Sequence, residues 1–69
     1  MKISARNILK GTIVKVTKGQ TTAHVLIDLG GGVIVTASIT NESVDSLKLT
    51  TGMPAYAVVK SSDVMVGID

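Results

Sequence analysis

Residues 21–29, TTAHVLIDL, put Ala23, Val25, Ile27 and Leu29 on one side and Thr22, His24, Leu26 and Asp28 on the other. A side-chain period of two marks a strand with one buried face. It commits the middle of the chain to sheet. Gly30, Gly31 and Gly32 follow, and VIVTASIT at residues 33–40 then sets Val33, Val35, Ala37 and Ile39 against Thr36, Ser38 and Thr40. Two such runs about a glycine turn predict a hairpin, because glycine supplies the positive φ that tight turns require. A phosphate-cradling loop fits the triple glycine less well, since such loops lead into a helix and carry a lysine or a downstream acid at fixed spacing.

The flanking segments extend the pattern. Residues 8–18 interleave Ile8, Leu9, Ile13, Val14 and Val16 with Lys10, Thr12, Lys15 and Thr17, and read as a first strand with imperfect alternation. Apolar residues fall on both of its faces around Ile13 and Val14, as expected if part of the second face lies under a neighbouring subunit. After the hairpin, TNESVDSLKL predicts a short helix. Thr40 or Asn41 caps it, Glu42 favours its positive end, and Val44 and Leu47 share a face at spacing three. Gly52 and Pro54 punctuate the exit, and AYAVVKSSDVMVGI resumes as strand with a turn or bulge at SSD. The order strand, strand, strand, helix, strand, strand makes this an all-β chain with one short helix, and resembles a five-stranded barrel of the oligonucleotide- and oligosaccharide-binding type.

How a chain of 69 residues holds together is a separate question. Domains this short bury only about 60% of the surface their unfolded chains expose. They usually need disulfides, a metal or a partner subunit. Cysteine is absent and His24 is the one histidine, which excludes disulfides and a Cys/His zinc site. With 45% of residues apolar and 17% charged, some apolar surface is expected under other subunits, so a homo-oligomer is predicted. The amino terminus has no secretory pattern, and no apolar run reaches the roughly 18 residues of a membrane span. A single domain over residues 1–69, cytoplasmic and without a membrane partner, is the expectation.

The chemistry-bearing residues are few. No paired carboxylates, Ser–His arrangement or metal cluster appears, so an enzyme is not expected. His24 reads as a partly buried or interface residue, and Asn41-Glu42-Ser43 as a helix start rather than a glycosylation acceptor. Single-strand nucleic-acid barrels rely on aromatic platforms, and Tyr56 is the sole aromatic here, so no nucleic-acid partner is predicted. Three polar segments remain: Ser4, Ala5 and Arg6; Thr40 to Ser43; and Lys60 to Ser62. Each sits where backbone amides are free. Arg6 and Lys60 offer charge to a dianion, and Ser4, Thr40, Ser43 and Ser61 offer directed hydrogen bonds. Tail, cap and turn explain the same residues, and the two explanations stay open on chemistry alone.

The segments ISARNILKGTIVKV, VIVTASITNESVDSLKL and GMPAYAVVKSSDVMV resemble the molbindins, the small Mop-type molybdate-binding proteins. The likeness covers essentially the whole chain. It implies a cytoplasmic protein that binds molybdate and tungstate for molybdenum storage or homeostasis. It further implies a hexamer built as a trimer of dimers, with an exchanged amino-terminal strand and oxyanion sites between chains. On that resemblance the contacts fall on Ser4, Ala5 and Arg6, on Thr40 and Ser43, and on Lys60 and Ser61, with Thr40 and Ser43 of one chain facing Arg6 and Lys60 of another. The rival expectations are an assembly module without ligand and, behind it, a single-strand nucleic-acid-binding barrel.

Overall fold

The computed structural model describes all of residues 1–69. Its elements run β1 (Asn7–Lys18), β2 (Thr22–Gly30), β3 (Val33–Thr40), α1 (Asn41–Leu47) and β4 (Pro54–Val59), followed by a 3-10 turn at Ser61–Asp63. The strands form one curled antiparallel sheet in the order β3-β2-β1-β4. Ile13, Ala23, Val25, Ile27 and Ala57 fill its concave side, and Val44 of α1 plugs one end.

The hairpin forms as its alternation predicts. Ala23 faces Ile39, Val25 faces Ala37 and Ile27 faces Val35 on the core side, while His24 faces Ser38 and Leu26 faces Thr36 outside. At the turn, Gly30, Gly31 and Gly32 take φ of 92°, 61° and 82°. Asp28 supports it by accepting from the Gly30 amide at 2.7 Å. His24 is exposed on the outer face of the isolated chain.

The imperfect alternation of β1 has a local cause. Ile13 pairs with Ile27 but Lys15 pairs with Leu26, so Val14 is an extra residue bulged out of the ladder. A bulge resets the pleat by one. Ile13 and Val16 therefore both face the core although they stand an odd three positions apart. The bulge accounts, within the chain, for the apolar pair at 13 and 14. Beyond it β1 changes partner: residues 12–18 pair with β2, and residues 7–12 pair with β4. Gly11 stands at that crossing, where a Cβ would lie 2.5 Å from the Asp28 carbonyl oxygen. Only glycine lets the two backbones pass this closely.

The helix is capped at both ends. Thr40 Oγ1 accepts from the Ser43 amide at 3.0 Å. Lys48 adopts φ 55° in the left-handed region, and the Leu49 amide returns to the Val44 carbonyl at 3.0 Å. This tight exit turns Leu49 toward the core, where it is half-buried, and leaves Leu47 exposed instead of paired with Val44 on a buried face.

Four strands are present where five were expected. The 3-10 turn ends β4, and residues 64–69 run on without joining the sheet. The edges of β3 and β4, between which a fifth strand would close a barrel, are not joined through any element of the same chain. An exchanged strand is likewise not part of this single chain. Six residues are buried, and the accessible surface is 5432 Å². A compact monomer of this mass exposes roughly 4,100 Å². The surplus of roughly 1,300 Å² is surface that a solitary domain of this size would have buried.

Candidate oxyanion site

Two of the three polar segments meet in one chain. Asn7 pairs with Val59 at the last rung of the β1–β4 ribbon, so the residues before Asn7 and those after Val59 leave from the same end. Asn7 Nδ2 donates to the Val59 carbonyl at 3.3 Å and pins the two exits together. Ser4, Ala5 and Arg6 thus form one lip, and Lys60 and Ser61 the other. Ala5 is half-buried, whereas Ser4, Arg6, Lys60 and Ser61 are exposed.

Both lips present donors. In the 3-10 turn the Asp63 amide donates to the Lys60 carbonyl at 2.9 Å and the Val64 amide to that of Ser61. The first amides of such a turn, those of Ser61 and Ser62, have no acceptor within it. Residues 4–6 precede the strand in bends, where main-chain amides are outside any ladder. Arg6 and Lys60 make no ion pair. The one ion pair in the chain joins Lys18 to Asp45 at the other end. Two unneutralised cations on adjacent exits make a local positive potential suited to a dianion.

Thr40 and Ser43 lie elsewhere. Thr40 pairs with Thr22, beside the end of β1 opposite to Asn7. At ~3.3 Å per residue, a strand as long as β1 spans ~36 Å, comparable with the 35 Å long axis of the molecule. The hydroxyl pair and the cationic lips therefore occupy opposite ends of one chain.

The hydroxyls form a short relay. Thr40 Oγ1 accepts the Ser43 amide and donates to Ser43 Oγ at 2.8 Å, which leaves the Ser43 hydroxyl proton free for an outside acceptor. A donor already receiving a hydrogen bond is polarised and donates more strongly. Thr40, Glu42, Ser43, Ser46 and Leu47 line a shallow depression here. Ser46 belongs with this group, and the spacing 40, 43, 46 along one helix face was the signal for it. The depression contains Glu42 and no cation, so it suits an anion only when positive charge comes from outside it.

Comparison with known proteins gives one consistent grouping. Residues 3–66 match the TOBE domain. Over 66 residues the chain is 47% identical to Molybdenum-pterin-binding protein 3 of Clostridium pasteurianum, covering 96% of this chain and 97% of that one. A molybdate-binding protein from Sporomusa ovata superposes with a TM-score of 0.91 at 37% identity, over 99% of this chain and all of that one. The cytoplasmic molybdate-binding protein ModG, with molybdate bound, superposes at 0.93 and 40% identity, over all of this chain and 49% of that longer one.

Proposed function

The chain belongs to the TOBE-domain family, in its molbindin-type group of small molybdenum-pterin-binding proteins, and from that membership we propose that it binds molybdate reversibly as a store or buffer of molybdenum. The group consists of binding domains, not enzymes. No bond is made or broken in the proposed mechanism. A tetrahedral dianion exchanges its hydration shell for amides and hydroxyls, with Arg6 and Lys60 supplying charge. Ser4 and Ser61 add hydroxyls, and the Ala5 main chain adds directed contact.

The observation that carries this reading is the division of the donors. The β1–β4 ribbon gathers the cations and their lips at one end, while Thr40 and Ser43 form a hydroxyl pair in a depression without a cation at the other. Neither half is complete alone. Set against the opposite end of a second chain, each supplies what the other lacks, and the ring of donors closes between subunits. A homo-oligomer follows, and a hexamer arranged as a trimer of dimers satisfies the pairing. The surplus surface supports assembly, and so does β1, whose residues 7–11 pair on one side only and leave an edge for an exchanged amino-terminal strand. Residues 1–69 act as one such domain, in the cytoplasm. No helix is long and apolar enough to cross a membrane.

Tungstate, with the shape and charge of molybdate, binds in the same ring. Sulfate, smaller at equal charge, is disfavoured by misfit. Titration calorimetry of the purified protein with molybdate, tungstate, sulfate and phosphate tests this. Saturable heat is expected with the first two and little with the others. Silence with all four leaves the assembly module as the better account, and equal competition by sulfate removes the selectivity.

A further inference from the structure

The sequence allows either Thr40 or Asn41 to cap α1, and the structure divides the work between them. Thr40 is the cap: its backbone is extended, with φ −73° and ψ 151°, and its Oγ1 accepts from the Ser43 amide. Asn41 is thereby released and reaches the link between β1 and β2 instead. Its main-chain amide donates to the Thr21 carbonyl at 2.8 Å, and its Nδ2 donates to the Gly19 carbonyl at 2.9 Å. One residue thus holds two carbonyls of a turn that is itself closed, since the Gly19 amide donates to the Thr22 carbonyl at 2.8 Å.

This clamp bears on the hydroxyl pair because of where it acts. The chain passes from β3 into α1 between Thr40 and Asn41. On one side of that bend, Thr40 is held by its rung to Thr22. On the other side the first turn of α1 has the cap and the clamp, and Val44 is the one buried residue of the helix. A helix of seven residues is not stable by itself. Ser43 lies in that first turn, so the setting of its hydroxyl follows that of Asn41. The side chain also carries a penalty: Asn41 Oδ1 is buried without a hydrogen-bond partner. A buried acceptor left unpaired is destabilising, and departures from local rules concentrate where function sets the requirement. The Nδ2 donor is the part of this amide that is used.

On the reading that Thr40 and Ser43 contact molybdate, we propose that Asn41 is a positioning residue for the oxyanion site. It touches no ligand. By locking the first turn of α1 to the β1–β2 turn, it holds the hydroxyl pair in the orientation that receives the anion. Preorganised donors bind more tightly because less ordering remains when the ligand arrives. Without the Nδ2 bond the first turn of α1 samples more orientations, and the hydroxyls are in register with the anion for a smaller fraction of the time.

The test uses the full chain. By calorimetry, Asn41→Ala is expected to weaken molybdate binding roughly three- to tenfold, the effect of ordering about one side chain on binding. In a Ser43→Ala background the same substitution is expected to weaken binding by less than about twofold, because the group it positions is gone. The full loss repeated in that background means that Asn41 acts by another route and overturns the proposal, as does an unchanged affinity in Asn41→Ala alone. Hydrogen exchange on the ligand-free protein gives a reading that does not depend on molybdate. The Ser43 amide is expected to exchange severalfold faster in Asn41→Ala, while the Val25 amide in the interior strand β2 keeps its rate. An unchanged Ser43 rate overturns the clamp, and equal acceleration of both amides shows a general loss of stability and overturns it too. If the unaltered protein gives no heat with molybdate, the proposed function fails by itself, and the Ser43 amide still decides whether Asn41 fixes the pair.

Discussion

At the scale of single residues, Arg6 is the sharpest test of the proposed site. It is exposed, unpaired, and held near Lys60 by the Asn7–Val59 rung rather than by contacts of its own. Removing it should therefore leave the fold alone and act on the ligand. A hydrogen bond to a charged group contributes ~1.5–3 kcal/mol, so Arg6→Ala is expected to weaken molybdate binding roughly 10- to 150-fold. Calorimetry reads the affinity and sedimentation reads the mass, which should not change. An unaltered affinity takes Arg6 out of the site. The types of these residues were legible in the sequence, because a cation beside hydroxyls is suited to anions wherever it lies. Their meeting was not. Asn7 binds Val59 across 52 positions, and only the β1–β4 register decides which exits become neighbours.

At the scale of elements, Thr40 has two duties that substitutions can separate. Its Oγ1 caps α1 through the Ser43 amide, and its proton polarises the Ser43 hydroxyl. Loss of a threonine cap costs ~1 kcal/mol. Thr40→Ala should lower stability by that amount and weaken molybdate binding as well, whereas Ser43→Ala should weaken binding with little loss of stability. Thr40→Ser should restore both. Urea denaturation beside calorimetry separates these outcomes, and equal stability loss in the two alanine variants would show that the pair serves the helix alone. The hairpin and helix were readable because their determinants are local: alternation, a glycine turn, a cap. The irregular alternation of β1 was readable too, yet a bulge and a covering subunit leave the same trace in sequence, and the pairing of Lys15 with Leu26 is what reveals the bulge. The fifth strand was misplaced for a related reason. Alternation at residues 64–68 marks a strand-forming pattern but does not name the edge it pairs with.

At the scale of the whole molecule, the proposed division of donors between two chains links ligand to assembly. A ligand that binds one state and not another stabilises it by RT ln(1 + [L]/Kd), ~2.7 kcal/mol at a hundredfold excess over Kd. If the ring closes only between chains, that free energy acts on association and not on each chain separately. For each site formed at an interface, molybdate at a hundred times Kd should then tighten self-association by about two orders of magnitude. Sedimentation across a wide dilution series, with and without molybdate, measures the shift, and sulfate serves as the control for ionic strength. The dissociation midpoint should move to far lower protein concentration with molybdate and hold still with sulfate. An unmoved midpoint with molybdate bound would place the whole site within one chain. That outcome would be hard to reconcile with cationic lips and hydroxyl pair at opposite ends of β1, and it would require Lys18, the cation at the hydroxyl end, to leave Asp45 for the ligand.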